Sequence, residues 1–317
     1  MKLAKTALVV VLSVFMSWTF GQSLNDAGKA FNEGIKLSKE EDVKGALMAY
    51  ENCIVICDSL GVDGDELKTK SQNQIVSIHT NLGTKAYKAK KPNEAIYHLK
   101  DALSYAEASG NAEGVAKAKK YLGYSYTYWG NVNLKEEAYD KAIENFNEAI
   151  NYAPESIKAY YGMGIVYLKT DDGDKMKASM DKVIAMGKED DKTVARAKSV
   201  AGKYYLSKSG KLLEKLKYEE AIQLLNTSME YISDNADTYY YLTLAYNNTN
   251  AFDKAIEVGE KGLSFASESP FNQYFELGRA YEGQGEKKKA CDNYKKVTEG
   301  PNVEAAKYQG KTVLKCN

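Results

Sequence analysis

The 317-residue chain sets 43 lysines and arginines against 43 aspartates and glutamates, for a formal net charge of zero, and only Arg196 and Arg279 are arginine. That balance offers no basic stripe for nucleic acid, and the scarcity of arginine argues against bidentate recognition of phosphate. With four prolines, singly spread glycines and no low-complexity stretch, no linker divides the chain.

The first segment, MKLAKTALVVVLSVFMSWTFG, places Lys2 and Lys5 ahead of an apolar run from Ala7 to about Met16, followed by Ser17 to Gly21. A cationic start, a short apolar core and small residues at the exit predict a secretory signal peptide over residues 1–21, with Gln22 as the new N-terminus. A retained membrane anchor is the rival reading. No cysteine lies near the cut, so a lipid-anchored form is not expected. The predicted location is exported: periplasmic, secreted or associated with an outer membrane, with membrane contact only through partners.

From there a single phrase repeats. In YDKAIENFNEAINYAPES, Ala142, Phe146 and Ala149 fall at i, i+4 and i+7 with Pro154 beyond them, which predicts one apolar stripe on a helix that packs against two neighbours. The same spacing recurs at Ala46, Tyr50 and Cys53, at Ala95, Leu99 and Ala102, and at Met176, Met180 and Val183. It returns at Ala221, Leu225 and Ser228, at Ala255, Gly259 and Gly262, and at Ala290, Tyr294 and Val297. Upstream of these copies sits a pair with an aromatic after it: Leu82-Gly83 with Tyr87, Leu122-Gly123 with Tyr126, Met163-Gly164 with Tyr167, Leu242-Thr243 with Tyr246, and Leu277-Gly278 with Tyr281. The interval is 12 from Gly83 to Ala95, Gly164 to Met176, Thr243 to Ala255 and Gly278 to Ala290, but 19 in the copies ending at Ala142 and Ala221. The difference of seven is near two helical turns, which predicts a phase-preserving insertion in those two hairpins.

These motifs resemble the tetratricopeptide repeat (TPR), whose unit is two antiparallel helices with L-G-x2-Y in the first, A-x3-F in the second and a closing proline. The resemblance covers almost the whole chain after residue 21. It implies an all-α, right-handed solenoid with units at about 27–60, 76–109, 116–156, 157–190, 195–235, 236–269 and 271–304, closed by a capping helix at 305–315. The family's tryptophan is replaced by Tyr160, Tyr239 and Tyr274 or lost, and Glu33 stands where leucine is expected before Gly34. The resemblance further implies stacked hairpins whose first helices line a concave binding face.

Catalytic motifs are lacking: there is no H-E-x-x-H, no G-x-S-x-G and no phosphate-cradling G-x-x-x-x-G-K-[ST]. An enzyme is not expected, nor a cofactor or metal. His79 and His98, the only histidines, read as packed side chains, and Asp171 to Lys175 as a polar turn, since an EF-hand's glutamate and spacing are missing. Tyrosine is abundant, at 25 of 317 residues. Taking the positions one after and three before the repeat glycine as groove-facing, the candidate binding residues are Tyr124, Tyr161, Tyr240 and Phe275, with Lys120, Lys203 and Arg279 among them. Such a surface suits a protein or peptide segment. A glycan stacked on the rings is the alternative, and a purely structural use of tyrosine is the third reading. The expected function is a non-enzymatic interaction scaffold of a bacterial cell envelope.

Among the cysteines, Cys53 and Cys57 sit four apart on one helix, beyond the Cβ separation a disulfide prefers, and should stay reduced. Cys291 and Cys316 come level if the last two helices fold back about a turn near Val303, and in an exported protein they are the candidate disulfide.

Overall fold

Seven helical hairpins follow one another in the computed structural model, which describes residues 23–188, 191–265 and 270–316. The predicted signal peptide lies outside the described residues. The chain divides into two compact bodies, residues up to Ser156 and residues from Ile157 onward.

The first body holds three hairpins: α1 (Leu24–Lys39) with α2 (Val43–Leu60), α3 (Asp65–Lys88) with α4 (Pro92–Ala108), and α5 (Ala112–Lys135) with α6 (Tyr139–Tyr152). A 3-10 turn, Gly61–Gly64, joins α2 to α3. The second body holds α7 (Ile157–Lys169) with α8 (Gly173–Met186), α9 (Lys192–Glu214) with α10 (Tyr218–Tyr231), α11 (Ala236–Asn248) with α12 (Phe252–Leu263), and α13 (Phe271–Gly283) with α14 (Lys287–Lys295). No strand occurs among the described residues. Every residue of the seven A-x3-F-x2-A triads is buried, so the stripe read from the sequence is the packing stripe of each second helix.

All seven hairpins turn in the same way. The left-handed residue of the turn is Glu41, Lys90, Glu137, Asp171, Leu216, Asn250 or Gly285, with φ between 57° and 80°. Each lies five residues before the alanine position of its triad. The next N–H reaches back to a carbonyl five residues earlier, as in Lys91 N to Ala86 O (3.0 Å), Asp172 N to Tyr167 O (2.9 Å) and Ala251 N to Tyr246 O (2.8 Å). This is a Schellman closure, which satisfies carbonyls that the first helix leaves open. The run Asp171 to Lys175 is therefore the polar turn it was read as, with Asp172 capping the Lys175 N–H.

One sequence expectation is corrected here: the seven-residue insertion does not exist. Gly130, not Gly123, is the repeat glycine of the third hairpin, and it lies 12 before Ala142. A Cβ placed on Gly130 would come within 2.6 Å of the Phe146 ring. The same relation holds for Gly34 with Tyr50, Gly83 with Leu99, Gly164 with Met180 and Gly278 with Tyr294, at 2.5–2.6 Å. Gly34, preceded by an unexpected Glu33, is thus in register, and in the fifth hairpin the fully buried Ser209 takes the position. Because seven residues make nearly two turns, the misread glycines lie on the same helix face as the true positions, which is why periodicity could not separate them. The extra length sits at the front of α3, α5 and α9, which have 24, 24 and 23 residues against 13 in α7, α11 and α13.

The lysine just before the alanine position lies over the repeat tyrosine in three hairpins of the second body: Lys175 over Tyr167 (5.4 Å), Lys254 over Tyr246 (5.7 Å) and Lys289 over Tyr281 (5.1 Å). Each pair ties the start of a second helix to the end of its first.

The chain's last described element is α15 (Val303–Tyr308), continued by a π-helical turn at Gln309–Val313. It is shorter and less regular than the predicted helix over 305–315, since Leu314 N bonds Gln309 O (2.8 Å) in the wider ring. Cys291 and Cys316 are bonded, with Cα atoms 5.7 Å apart, and join α14 to this terminal segment. Cys53 and Cys57 are free and buried, with sulfurs 3.9 Å apart. Burial, with Cys53 adjacent, pushes the Cys57 thiol up to about 11.

Six of the seven turns place a residue other than glycine in the left-handed region, where a Cβ is unfavourable. Leu216 is the least suited and is 69% exposed, so its side chain has little packing to lose. Leu216→Gly should raise the unfolding free energy by about 1 kcal/mol in urea titration; a loss of stability would show that this turn is not held as described.

Candidate functional site

In the first body three tyrosines, the half-buried Tyr87 and Tyr121 and the exposed Tyr124, gather where α3 and α5 run side by side. Tyr87 on α3 lies 5.9 Å from Tyr121 and 6.0 Å from Tyr124 between ring centroids, and Tyr121 and Tyr124 are 5.8 Å apart. Tyr124 is 41% exposed, and Lys120 Nζ stands 5.9 Å over its ring. Burial, then the neighbouring hydroxyls of Tyr124 and Tyr121, raises the Tyr87 pKa. Two hollows flank the cluster. One of about 600 Å³ is lined by Ala116, Lys120 and Tyr124 of α5, by Tyr152 at the end of α6 and by Pro154 and Ser156 after it. The other, of about 200 Å³, lies between α3 and the start of α5. Lys120 and Tyr124 are therefore brought together as predicted, although the corrected register places them two turns before the repeat position.

In the second body the candidates separate. Tyr161 on α7 packs half-buried against the cluster of Met176, Met180 and Val183. Phe275 packs on the cluster around Leu277, 5.9 Å from the Tyr294 ring. Lys203 is exposed on α9. Tyr240 and Arg279 meet instead at Glu276, a residue that no motif singles out. Its side chain is 3% exposed; Arg279 Nη1 donates to Oε2 at 2.9 Å, and Asn247 Nδ2 donates to the same oxygen and to the Glu276 carbonyl, both at 2.8 Å. Asn247 Oδ1 is buried with no partner among the described residues. Burial, then the charge of Glu276, raises the Tyr240 pKa. Within F-E-L-G-R a glutamate reads as solvent-facing, so only the packing reveals it.

The two histidines also pack, with His98 Nδ1 and His79 Nδ1 3.2 Å apart and Asp101 3.5 Å from His79. Burial lowers the His79 pKa against the opposing pull of Asp101. Among the described residues no group of three histidine, cysteine or acidic side chains is placed to hold a metal ion.

Charge, neutral in sum, is sorted by helix. In the first body α3 carries four lysines against two acids and α5 four against one, whereas α4 and α6 each carry one lysine against three acids. In the second body α7 has two lysines and no acid and α9 six basic residues against one acid, while α10 has three acids and no base. First helices there are basic until α11 and α13, where acids exceed bases by one.

Glu276 carries a pH signature. Burial holds its carboxyl above the ordinary value of 4.5, with Arg279 and the Asn247 hydrogen bond opposing. The native state thus keeps a proton that the unfolded chain has released, so the contribution of this group is most favourable below the unfolded value and is lost as pH rises through the raised native one. Relative to Glu276→Gln, the wild type should lose stability in urea as pH rises above the ordinary value of 4.5. Parallel profiles would show that the carboxyl is not shifted.

A family model described as "TPR repeat" matches residues 130–171, and one described as "Tetratricopeptide repeat" matches residues 274–299. No curated protein matches the chain. Among solved structures, the chain is similar to YrrB, described as "a TPR protein with an unusual peptide-binding site", at 17% identity over 59% of this chain and 91% of that one, with a TM-score of 0.36. It is similar to MamA at 24% identity over 60% and 95% of the two chains, with a TM-score of 0.36. A tetratricopeptide repeat protein from Parabacteroides merdae ATCC 43184 aligns at 18% identity over 92% and 99%, with a TM-score of 0.30. With two segments matched by repeat models and one hairpin register carried through seven hairpins, the chain is a tetratricopeptide repeat protein.

Proposed function

We propose that this protein is an exported, non-enzymatic scaffold of a bacterial cell envelope that holds a segment of a partner protein against its first helices. The observation that carries the binding reading is the surface cluster of half-buried Tyr87 and Tyr121 with exposed Tyr124, Lys120 standing over one ring. Tyrosine supplies broad contact area with a polar tip and few rotatable bonds, which favours it at interfaces. Support for export comes from the signal-like first 21 residues, and the bond between Cys291 and Cys316 suits an oxidising compartment.

The test is affinity capture from envelope extract with wild type and with Tyr121→Ala/Tyr124→Ala. The wild type should recover a protein partner that the double variant recovers about tenfold less, while helical circular dichroism is unchanged. Equal recovery by both would remove the cluster from the binding surface. Retention on envelope polysaccharide without any protein partner would favour the glycan reading instead.

A further inference from the structure

We infer that the contact between His79 of α3 and His98 of α4 is an acid-sensitive latch, which keeps the second hairpin closed while the two rings share a proton and loosens it once both rings carry a charge. The inference stands on this hairpin alone and goes beyond the scaffold reading.

His79 occupies a place that the other hairpins fill differently. It stands four residues before the repeat glycine Gly83, where the corresponding residues are Ala30, Tyr126, Tyr160, Tyr205, Tyr239 and Tyr274. Neither alanine nor tyrosine ordinarily changes charge between pH 5 and 8, whereas an imidazole does. The His79 ring is 6% exposed and lies one turn from the contact of Gly83 with Leu99 that sets the helix separation. Its partner His98 is the residue just before Leu99, so the rings meet across the seam with centroids 5.3 Å apart.

The geometry limits how many protons the pair can hold. Nδ1 of one ring is 3.2 Å from Nδ1 of the other, so one must donate and the other accept. The neutral pair meets this condition. A first added proton meets it too, because it goes to the outer Nε2 of the donating ring and leaves the shared bond in place. A second has only the accepting Nδ1 to bind, which sets two N–H groups against each other and brings two like charges together.

The surroundings do not relieve that repulsion. Asp101 Oδ2 is 3.5 Å from His79 Nδ1, but its side chain is 37% exposed, where water screens it. Burial first, with His98 adding, keeps the His79 pKa below the ordinary 6.5 although Asp101 pulls the other way. Charges on the packed helices are engaged elsewhere: Glu33 of α1 with Lys36, Glu51 of α2 with Tyr105, Lys100 of α4 over Tyr126, and Lys119 of α5 with Glu107. Glu113 and Lys117 of α5 line the hollow between the helices with opposite charges. Because the folded state lowers the His79 pKa, the unfolded chain takes the proton first; the latch is fully effective above about pH 6.5 and weakens as pH falls below it. Tyr87 lies about two turns beyond His79 on α3, so the hairpin that loosens presents part of the tyrosine cluster.

The experiment is hydrogen exchange of the full chain between pH 7.5 and 5, resolved by peptide and corrected for the intrinsic rate. Protection of α3 and α4 should fall at least about fivefold more than that of α7 and α8, which carry no histidine. The excess should shrink below about twofold in His79→Tyr, which restores the ring used in five other hairpins, and in His98→Asn, whose amide turns to offer a donor or an acceptor. Nitrogen NMR of the two imidazoles, the only ones in the chain, should show two separate protonation steps, the second coinciding with the loss of protection. An equal fall in both hairpins, an excess that survives His98→Asn, or two rings that titrate in one step would overturn the inference. Should His79→Tyr not fold, His98→Asn decides alone. Glu276 cannot imitate the effect, since it lies in the other body and its contribution changes with pH in the opposite sense.

Discussion

A glycine in the first helix of a hairpin, pressed against a bulky side chain in the second, sets the separation and register of the two helices. At Gly130 the Phe146 ring occupies the space where any side chain would begin, and four other hairpins repeat the arrangement with tyrosine, leucine or methionine as the filler. In four of these five hairpins the filler stands four residues after a buried alanine, which lets the backbones approach one turn earlier, while Met176 takes that place before Met180. Small and large residues alternate along the seam, so each hairpin has one depth of interdigitation and the same turn follows. The left-handed turn residue then falls at one position in all seven hairpins even though glycine occupies it only once, at Gly285. Tertiary packing, not turn propensity, determines the conformation at the other six.

This seam divides the tyrosines into two populations. Those at the filler or repeat positions, such as Tyr50, Tyr281 and Tyr294, are buried and send their hydroxyls to carboxylates where these are near, as in Tyr294 to Glu282 at 2.7 Å. Burial, with the Glu260 bond adding, pushes the Tyr281 hydroxyl up to about 12. Those on the first helices away from the seam, Tyr124 above all, are left to meet solvent or a partner. One residue type serves both ends because its ring packs like phenylalanine and its hydroxyl tolerates water.

The repeat, the buried stripe, the turn at Asp171 and the inert pair Cys53 and Cys57 were legible because each follows from local spacing. The register of the third and fifth hairpins was not. A slip of seven residues nearly preserves the helical face, and the Leu122-Gly123 pair imitates the signature that Trp129-Gly130 carries. The site was legible only in part. Lys120 and Tyr124 could be found by counting, but Tyr161 and Phe275 pack on the core clusters around Met176 and Leu277, a burial that counting alone does not reveal. Glu276 depends on burial by residues some 30 positions away, as the bond from Asn247 to Glu276 shows. The charge sorting was hidden by its own sum, since the basic α3, α5 and α9 are offset by acidic helices such as α4, α6 and α10.

The role of the seam can be measured directly with a double-mutant cycle on Gly130→Ala and Phe146→Ala. Alone, the first should cost about 1–3 kcal/mol through overpacking and the second about 3–5 kcal/mol through a cavity. Together they should cost less than the sum by at least about 1 kcal/mol, because removing the ring makes room for the added methyl group. Additivity within about 0.5 kcal/mol would mean that the two residues do not define the hairpin register, and would contradict the account at its base.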